Sequence, residues 1–424
     1  MNPWQDILKF AGLQADFEII DIKQFRKLKK LEFYLNRTDD SGSCYQCGQR
    51  SSCIHSKDKI RLKDLSCFEY EVELIFDRYT LYCSKCRGYR VENFWLLRKG
   101  KGFTWRYEKH ISRLCEETTN AAVGRLERLN DKTVYNIDFE LLNLRLTHQP
   151  PPEDLGPDYS MDEIHWRTKK GKHPKFITNL VDLTHRKVVT NAPGRDQESA
   201  RNCLLWLSKE QREEMKSIAV DLHDSYIAAV KQECKKALIV LDRFHVMKLF
   251  NESMNEFRKD QLKLATDSDE IQLLKGRNKW ILLSRPENLS KTGKILLEEL
   301  KGLNERVLEA LLIKEQLVAF FDEQDSKEAK KQWIKFHELV VQADIKAFNS
   351  FLIRMQKWIP YLFNYFQSRI SSGVIEAINH KIKTVRAMAY GYRNEFYYQL
   401  KILQRVGFLN SRFWDLPKIQ GLYP

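Results

Sequence analysis

Four cysteines near the start of the chain have the spacing of metal ligands. Cys44 and Cys47 form one C-x-x-C pair, and Cys83 and Cys86 form a second pair. Two such pairs can present four thiolates to one tetrahedral ion, a ligand set that suits zinc. The segment between the pairs is longer than in the tightest zinc fingers, so scattered, packed thiols are the alternative. Disulfides are the weaker interpretation, because no feature of the sequence places it outside the cell.

Three acidic residues, far apart in the sequence, have the surroundings expected of magnesium ligands. Asp162 lies within one predicted strand and Asp221 ends another, and ligands gather at the carboxyl ends of strands in α/β sheets. Glu376 lies on a predicted helix that presents Lys383, and either Asn379 or His380, on the same face. Hard cations prefer oxygen ligands, so the three acids together predict a two-metal phosphodiester site. Each acid alone is more often a surface or capping residue, and the prediction depends on their joint setting.

The elements that must position these acids alternate between strands and helices. Strands are predicted at 160–166, 176–183, 187–190, 217–221 and 237–242, and helices at 197–215 and 224–236. This order indicates a mixed sheet with covering helices. Asp224 is expected to be the N-cap of its helix, which leaves Asp221 as the ligand. The residues from 243 to about 366 are rich in Leu, Lys and Glu and predict an almost wholly helical block.

A module of short strands surrounds the cysteines. Residues 68–76 and 79–83 alternate in the manner of strands. So small a unit lacks core area unless a metal ion holds it together. We therefore expect a zinc-ribbon domain over residues 1–99, followed by a basic, glycine-rich boundary at 98–102.

Residues 103–149 predict a helical module that ends at a proline run, 149–152. A helix at 108–117, a second one capped near 118–120, a break at 128–130 and Asp131 as the next N-cap are typical of a helix-turn-helix. A plain three-helix packing unit is the alternative. On the helix-turn-helix interpretation, the residues expected to contact a DNA major groove are Lys132, Thr133, Tyr135 and Asn136.

Composition and charge favour a polyanionic partner. The 424 residues carry a formal net charge of +14, with a pI near 9.2. Hydrophobic residues make up 43% of the chain, enough for a sizeable core. The sequence has no apolar run of about 18 residues and no secretory signal. It therefore predicts a soluble, cytoplasmic protein without a membrane helix.

Several longer motifs occur along most of the chain. They are Cys44-Tyr-Gln-Cys-Gly with the second cysteine pair, Met161-Asp-Glu, Ala219-Val-Asp-Leu-His-Asp-Ser-Tyr, Leu241-Asp-Arg-Phe-His-Val-Met-Lys, Gly373-Val-Ile-Glu-Ala-Ile-Asn-His-Lys-Ile-Lys and Ala389-Tyr-Gly-Tyr-Arg-Asn. With these motifs the chain resembles the DDE transposases of bacterial insertion sequences, specifically the ISL-three family.

The resemblance implies a multidomain α/β protein with a ribonuclease-H-like core. The zinc ribbon (1–99) and the helix-turn-helix domain (103–149) precede a core formed by 158–248 and 366–424, with an all-helical insertion at 249–365. Asp162, Asp221 and Glu376 match the acidic triad of the family, which implies Mg²⁺ or Mn²⁺ at the active site in addition to structural Zn²⁺. The family also implies action on double-stranded DNA, as a homodimer at paired element ends and in association with the bacterial nucleoid.

The implied activity is metal-dependent cleavage at the ends of the element, followed by strand transfer. His245 lies in a D-x-x-H element similar to that of related transposases. It is a candidate for positioning or for contact with the DNA backbone, and a packed corner histidine is an equally weighted alternative. The further residues expected along the DNA are Asn379, Lys383, Arg386 and Arg393. Among the nearby aromatic side chains, Tyr390 to Tyr398, packing is favoured over stacking on bases. The alternative function is a catalytically inactive DNA-binding regulator with a zinc ribbon and a helix-turn-helix.

Overall fold

The computed structural model describes residues 5–98, 100–148, 151–167, 174–370 and 372–409. Contacts divide the chain into two compact units. The N-terminal unit comprises Met1–Pro150, Val385–Arg405 and Leu409–Pro424, and the central unit comprises Pro151–Thr384 and Val406–Phe408. Part of the proline run and the last residues of the expected core segment lie outside the described residues. So does Ser371, which with Ser372 is a predicted alternative for the cap of the helix that carries Glu376.

The N-terminal unit begins with a sheet built around one long hairpin. Its elements are α1 (Gln5–Phe10), β1 (Phe17–Phe25), β2 (Lys30–Arg37), β3 (Gly42–Cys44), β4 (Arg50–Ser51), β5 (Ile54–Cys67), β6 (Tyr70–Cys83) and β7 (Gly88–Asn93). The strand order is β1-β2-β6-β7-β3-β4, and β5 pairs with β6. The chain turns at Phe68, so the strands predicted at 68–76 and 79–83 form one strand, β6. Phe17, Phe76 and Phe94 pack together in the core of this sheet, with ring centroids 4.8–5.6 Å apart.

Three helices follow the sheet, in the order and with the breaks that the sequence predicts. They are α2 (Trp105–Glu117), α3 (Asn120–Glu127) and α4 (Asp131–His148). Thr119 caps α3 by accepting a hydrogen bond from the backbone N–H of Ala122. The cap of α4 is Asn130 rather than Asp131, because the Asn130 side chain accepts the N–H of Lys132 at 2.8 Å. The turn requires Gly124, where an added Cβ would lie 2.7 Å from the carbonyl oxygen of Leu129.

A fourth helix, near the end of the chain, belongs to the N-terminal unit. This helix, Glu395–Val406, is tied to α2 and α4 by a buried polar network. The carboxylate of Asp138 accepts hydrogen bonds from Ser112 Oγ at 2.7 Å, from Tyr397 OH at 2.7 Å and from Lys401 Nζ at 3.0 Å. The grouping of Val385–Arg405 with the N-terminal residues differs from the sequence-based assignment of 366–424 to the core, and the domain boundaries stay a prediction.

The central unit contains a five-stranded mixed sheet. Its strands and helices are β8 (Asp158–Arg167), β9 (Lys175–Asp182), β10 (Lys187–Pro193), α5 (Gln197–Leu205), α6 (Lys209–Glu214), β11 (Ser217–Val220), α7 (Asp224–Glu233) and β12 (Leu238–Leu241). The strand order is β10-β9-β8-β11-β12. β9 is antiparallel to both of its neighbours, whereas β8, β11 and β12 run parallel. A mixed sheet in an α/β protein is therefore confirmed.

Two local predictions in this region are wrong. The helix expected at 197–215 is two helices, because the chain breaks after α5 and Ser208 starts α6 with a capping box shared with Gln211. Asp224 is the first residue of α7, and His223 holds the N-cap position. The Asp224 carboxylate instead accepts a hydrogen bond from Lys357 Nζ at 2.6 Å.

The rest of the central unit is helical, as predicted from its composition. The helices are α8 (Arg243–Leu264), α9 (Ser268–Leu274), α10 (Lys279–Leu283), α11 (Lys291–Leu303), α12 (Glu305–Asp322), α13 (Ser326–Ala343), α14 (Lys346–Met355), α15 (Ile359–Leu362), α16 (Tyr365–Ser368) and α17 (Ser372–Met388), and the helix Glu395–Val406 described above is α18. Aromatic side chains form the centre of this helical block, where Phe250 contacts Phe336, Phe348 and Phe351 at 5.0–5.8 Å between ring centroids. None of the helices in the described part of the chain has the length and apolarity needed to cross a membrane.

Candidate active site and metal sites

The register of the central sheet places three aspartates at one level, two at the carboxyl ends of β11 and β12 and one within the longer strand β8. Met161 of β8 pairs with Val220 of β11, and Val220 pairs with Leu241 of β12. Each of these residues is followed by an aspartate, namely Asp162, Asp221 and Asp242. The three carboxyl groups therefore start from adjacent strands at the same level, at the sheet edge where α/β proteins bind ligands.

His245 lies among these aspartates. It is in the first turn of α8, which Asp242 caps by accepting the backbone N–H of Phe244. Its Nδ1 is 2.9 Å from Asp221 Oδ1, and its Nε2 is 3.8 Å from both Asp162 Oδ1 and Asp242 Oδ2. A packed residue at the corner between β12 and α8 and a residue that positions the aspartates are therefore compatible roles, because the imidazole contacts all three aspartates from the helix.

Burial and the imidazole act in opposite directions on the charges of this site. Burial alone lowers the pKa of His245, but the hydrogen bond to Asp221 and the charges of all three aspartates raise it to about 9. Burial raises the pKa of Asp242 to about 6 and also raises that of Asp162. For Asp221, burial is outweighed by the hydrogen bond and charge of His245, and its pKa is lowered. Asp221 is thus the acid held most firmly as a carboxylate, with His245 as its cation.

The helix α17 contacts the row of aspartates through Asn379. Its apolar side includes Ile375, which packs with Ala219, Val240 and Ile370. Asn379 is one turn further along the helix, and its Nδ2 donates a hydrogen bond to Asp162 Oδ2 at 2.5 Å. Glu376 is next to Ile375 in the sequence and is exposed.

The predicted acidic trio is not a compact cluster in this structure. In the described part of the chain, only the four cysteines bring three or more potential ligand atoms within 4.8 Å of one another. Asp162, Asp221 and Glu376 do not meet that distance. The donor chemistry nevertheless fits a hard cation, because the carboxylates of Asp162, Asp221 and Asp242 on three adjacent strands supply only oxygen ligands. The role of Glu376 stays a prediction.

Two acidic neighbours of the predicted ligands have partners of their own. Glu163 follows Asp162 on β8, and its carboxylate accepts a hydrogen bond from Tyr226 OH at 3.3 Å. The ion pair of Asp224 with Lys357 was described above. Asp242 was not predicted as a site residue. The equal spacing between the apolar strand and the aspartate in 217–221 and 238–242 is the signal that would have found it.

The four cysteines of the N-terminal unit meet at one point. β3 and β6 end at Cys44 and Cys83, and the turns that follow them bring in Cys47 and Cys86. The sulfur atoms of Cys44 and Cys86 are 4.0 Å apart, and those of Cys47 and Cys83 are 3.5 Å apart. Four Zn–S bonds of about 2.3 Å in a tetrahedron require sulfur separations of about 3.8 Å. This four-cysteine cluster therefore has the size of a zinc site. The backbone N–H of Cys86 contributes most to lowering the pKa of Cys83 to about 7, which favours a thiolate.

The residues predicted to contact DNA differ in their exposure. Within α4, Lys132 and Asn136 are exposed, whereas Thr133 and Tyr135 are half-buried. Tyr135 packs edge-on against Tyr397 with centroids 4.8 Å apart, and its hydroxyl accepts a hydrogen bond from Asn394 Nδ2 at 3.2 Å. The exposed face of α4 is therefore narrower than the sequence predicts. Of the later basic residues, Lys383 and Arg393 are exposed and Arg386 is half-buried.

Comparison with known proteins identifies the family. A model of the ISL3 family of DDE transposases, described as "Transposase", matches residues 159–402, which is more than half of the chain. The transposase for insertion sequence element IS1001 of Bordetella parapertussis is 30% identical over 376 residues, covering 88% of this chain and 91% of that protein. This chain belongs to the ISL3 family of DDE transposases. Transposases for insertion sequence element IS1557 from two strains of Mycobacterium tuberculosis are each 22% identical over 320 residues, covering 69% of either chain.

Membership of the ISL3 family defines the class of activity. The protein is a catalytic DNA transposase of an insertion sequence element, and the DDE family implies a divalent metal and a ribonuclease-H-like core. The matched region contains the aspartate row, His245 and α17. The catalytic roles of these residues stay a prediction.

His245 is expected to stabilise the central unit most strongly at low pH. Its pKa rises on folding from 6.5 to about 9, so its contribution is complete below pH 6.5 and is lost as the pH rises through about 9. Without added magnesium, we expect His245→Gln to lower the free energy of unfolding by roughly 2 kcal/mol at pH 6.5. Urea unfolding as a function of pH tests this, with His337→Gln as the control because His337 is an exposed histidine of the same unit. A difference between His245→Gln and wild type that is equal at pH 6.5 and well above pH 9 would contradict this role.

Proposed function

We propose that Asp162, Asp221 and Glu376 hold two divalent cations, Mg²⁺ or Mn²⁺, at which this transposase cuts and joins DNA. The observation that carries the proposal is the register of two adjacent parallel strands, which places Asp221, at the end of β11, level with Asp162 within β8. Bound magnesium ions would lower the pKa of an attacking water or 3′-hydroxyl and stabilise the charge on the departing oxygen. No covalent intermediate with a protein side chain is required, so the chain need only bind and orient the DNA.

In this proposal, the neighbours of the acids orient them. Asn379 fixes one carboxylate oxygen of Asp162 through its hydrogen bond, and His245 fixes Asp221 from the first turn of α8. These contacts restrict the rotamers of two ligands before a cation binds, which is the usual task of residues around metal ligands. In the proposal Glu376 is supplied by α17, the helix that also carries Asn379.

The proposed core is ribonuclease-H-like. The sheet order β10-β9-β8-β11-β12, with β9 antiparallel, supports this proposal. Residues 249–365 would then form the all-helical insertion between the second and third acids. The N-terminal unit would contribute a zinc ribbon at the four-cysteine cluster and a helix-turn-helix in α3 and α4.

The proposed partner is double-stranded DNA at the ends of the element and at the target. The net charge of +14 supports a polyanionic partner. In the helix-turn-helix, Lys132 and Asn136 are the best placed of the predicted contacts because both are exposed. Asn379, His245, Lys383, Arg386 and Arg393 complete the proposed contacts. Assembly as a homodimer on paired ends, in association with the nucleoid, is part of the proposal.

A cleavage assay tests the catalytic proposal. Purified full-length protein is incubated with a labelled duplex carrying the terminal sequence of the element, with and without magnesium. We expect magnesium-dependent nicking at the element boundary and joining of the nicked end to a second duplex. Specific binding without any magnesium- or manganese-dependent cleavage would instead identify an inactive DNA-binding regulator. Nicking without joining would indicate a nuclease that does not transfer strands.

A further inference from the structure

One cleft in the N-terminal unit is not accounted for by the acids or by the four-cysteine cluster. It has a volume of about 670 Å³, within the range of small-molecule sites. The first turns of α3 and α4 form one side, and the segment from the end of α17 to α18 forms the other. A nucleotide is small enough to enter a cleft of this volume.

Tyr390 lines this cleft and has no structural reason for its position. Its side chain is fully exposed, at 101% of the reference area. Its backbone is left-handed, with φ of 51°, a conformation that is unfavourable for a tyrosine. The turn is nonetheless well defined, because the N–H groups of Tyr390 and Gly391 donate to the carbonyl oxygens of Ala387 and Arg386, each at 3.0 Å. What distinguishes Tyr390 from other exposed aromatic residues is that this turn holds it at the cleft, where a ligand can reach it.

The other tyrosines of this segment are explained by packing. Tyr392 stacks on Tyr398 with ring centroids 4.9 Å apart, and Tyr397 is buried against Tyr135 and hydrogen-bonded to Asp138. The prediction that aromatic residues of this segment pack is thus confirmed for these three and is wrong for Tyr390. The ring of Tyr390 is exposed to solvent beside a cleft whose walls are mainly apolar, and it is available for stacking.

Charge around the cleft indicates the class of ligand. Among the residues that line it, Lys401 binds the buried Asp138, and Arg405 donates to the backbone carbonyl of Glu116. Three further basic residues of the lining are exposed, namely Arg125, Lys132 and Arg393, against the single carboxylate of Asp131. A flat, exposed aromatic ring among cations is the arrangement with which proteins hold unpaired nucleotides, because every base has a π-face and every nucleotide a phosphate.

We propose that this cleft binds an unpaired base of the DNA, with Tyr390 stacked on the base and Arg125, Lys132 and Arg393 near the flanking phosphates. The inference rests on the proposed function, since it takes DNA as the ligand, and adds a requirement for a nucleotide that is out of the double helix. A second copy of the chain is the competing occupant. The cationic lining favours DNA over a second copy. A second copy bound here would have to supply acidic groups to neutralise these cations, whereas DNA supplies phosphates.

Binding to two DNA probes tests the inference without knowledge of the element's ends. One probe is a blunt labelled duplex of about 20 base pairs, and the other is the same duplex with a single-stranded extension of about five thymidines. Fluorescence anisotropy is measured with the full-length protein at about 0.15 M salt and without added magnesium. We expect wild type to bind the extended probe roughly tenfold more tightly, and Tyr390→Ala to lose most of that preference. Tyr390→Trp should keep it, because stacking needs an aromatic ring and not the hydroxyl group.

Phe68→Ala is the matched control. Phe68 is also an almost fully exposed aromatic residue, at 98%, with a left-handed φ of 54° in the same unit, but it does not line the cleft. Equal preference for the extended probe in wild type, Tyr390→Ala and Phe68→Ala would overturn the inference. So would sedimentation showing that Tyr390→Ala dissociates a dimer while the preference persists. Failure of wild type to bind either probe would instead contradict the proposed DNA contacts.

Discussion

Replacing Asp221 by asparagine is expected to abolish magnesium-dependent cleavage while leaving DNA binding within about twofold of wild type. The substitution retains size and hydrogen-bonding capacity but removes the negative charge that a cation between Asp162 and Asp221 would contact. Loss of one ligand of this kind should reduce the single-turnover cleavage rate by roughly 10³-fold or more, because occupancy and geometry fail together. Cleavage of a labelled end duplex by excess protein measures the rate, and electrophoretic mobility measures the binding.

The control for this prediction is Asp224→Asn. It makes the same chemical change three residues later, at a carboxylate that pairs with Lys357 and not with His245. We expect Asp224→Asn to cleave at a rate close to that of wild type. Cleavage by Asp221→Asn at a comparable rate would show that Asp221 is not a ligand, and equal loss in both variants would indicate a general disturbance of α7.

The sequence is sufficient to predict Asp162 within one strand and Asp221 at the end of another, because these positions depend on local pattern. An apolar run that ends on an aspartate is visible at 217–221, and the pairing of two parallel strands then aligns Asp221 with Asp162. The same reasoning applies to Asp242, whose strand pairs in register with β11. The row of three aspartates was thus within reach of pattern and register, although only two of them were predicted.

Contacts made across long stretches of sequence were not predictable in this way. The hydrogen bond from Asn379 to Asp162 joins residues 217 positions apart. This hydrogen bond depends on the packing of Ile375, which fixes the position of α17 against the sheet. Helical periodicity places Glu376, Asn379 and Lys383 on one face, but it does not determine which of them contacts the acids. The sequence therefore predicts the helix and its face, while side-chain packing determines that Asn379 makes the contact.

The three helices α2 to α4 show the same limit. Their order, the cap at Thr119 and the break at 128–130 were readable from the sequence, whereas the first helix begins earlier, at Trp105, and the cap of α4 is Asn130. Tyr135 was predicted to face DNA because it lies on the first turns of α4. Its hydroxyl is instead bonded to Asn394, 259 residues away, and its ring contacts Tyr397. A partner supplied by the far end of the chain cannot be inferred from helix periodicity.

Replacing Cys83 by serine is expected to eliminate zinc binding and to unfold the region around β3, β4 and β7. Cys83 contributes the thiol whose pKa is lowered to about 7, and it is buried between Cys47 and Cys86. The short strands β3 and β4 have three and two residues and lack a core of their own. Because zinc binding then contributes directly to the stability of this region, the free energy of unfolding should fall by more than about 4 kcal/mol. The zinc content of the purified protein should fall from one zinc per chain to none. In limited proteolysis, the protease should cut the variant within the first hundred residues.

Cys53→Ser separates this effect from a general loss of thiols. Cys53 lies between the two pairs in the sequence, but its side chain is exposed and is outside the four-cysteine cluster. This variant should keep one zinc per chain and the proteolysis pattern of wild type. Sulfur separations of 3.5 and 4.0 Å match a tetrahedral zinc site closely enough that the metal should be retained through purification. Wild-type protein that is folded and free of zinc, or Cys83→Ser that still binds one zinc per chain, would refute the assignment and leave packed thiols as the explanation of the four-cysteine cluster.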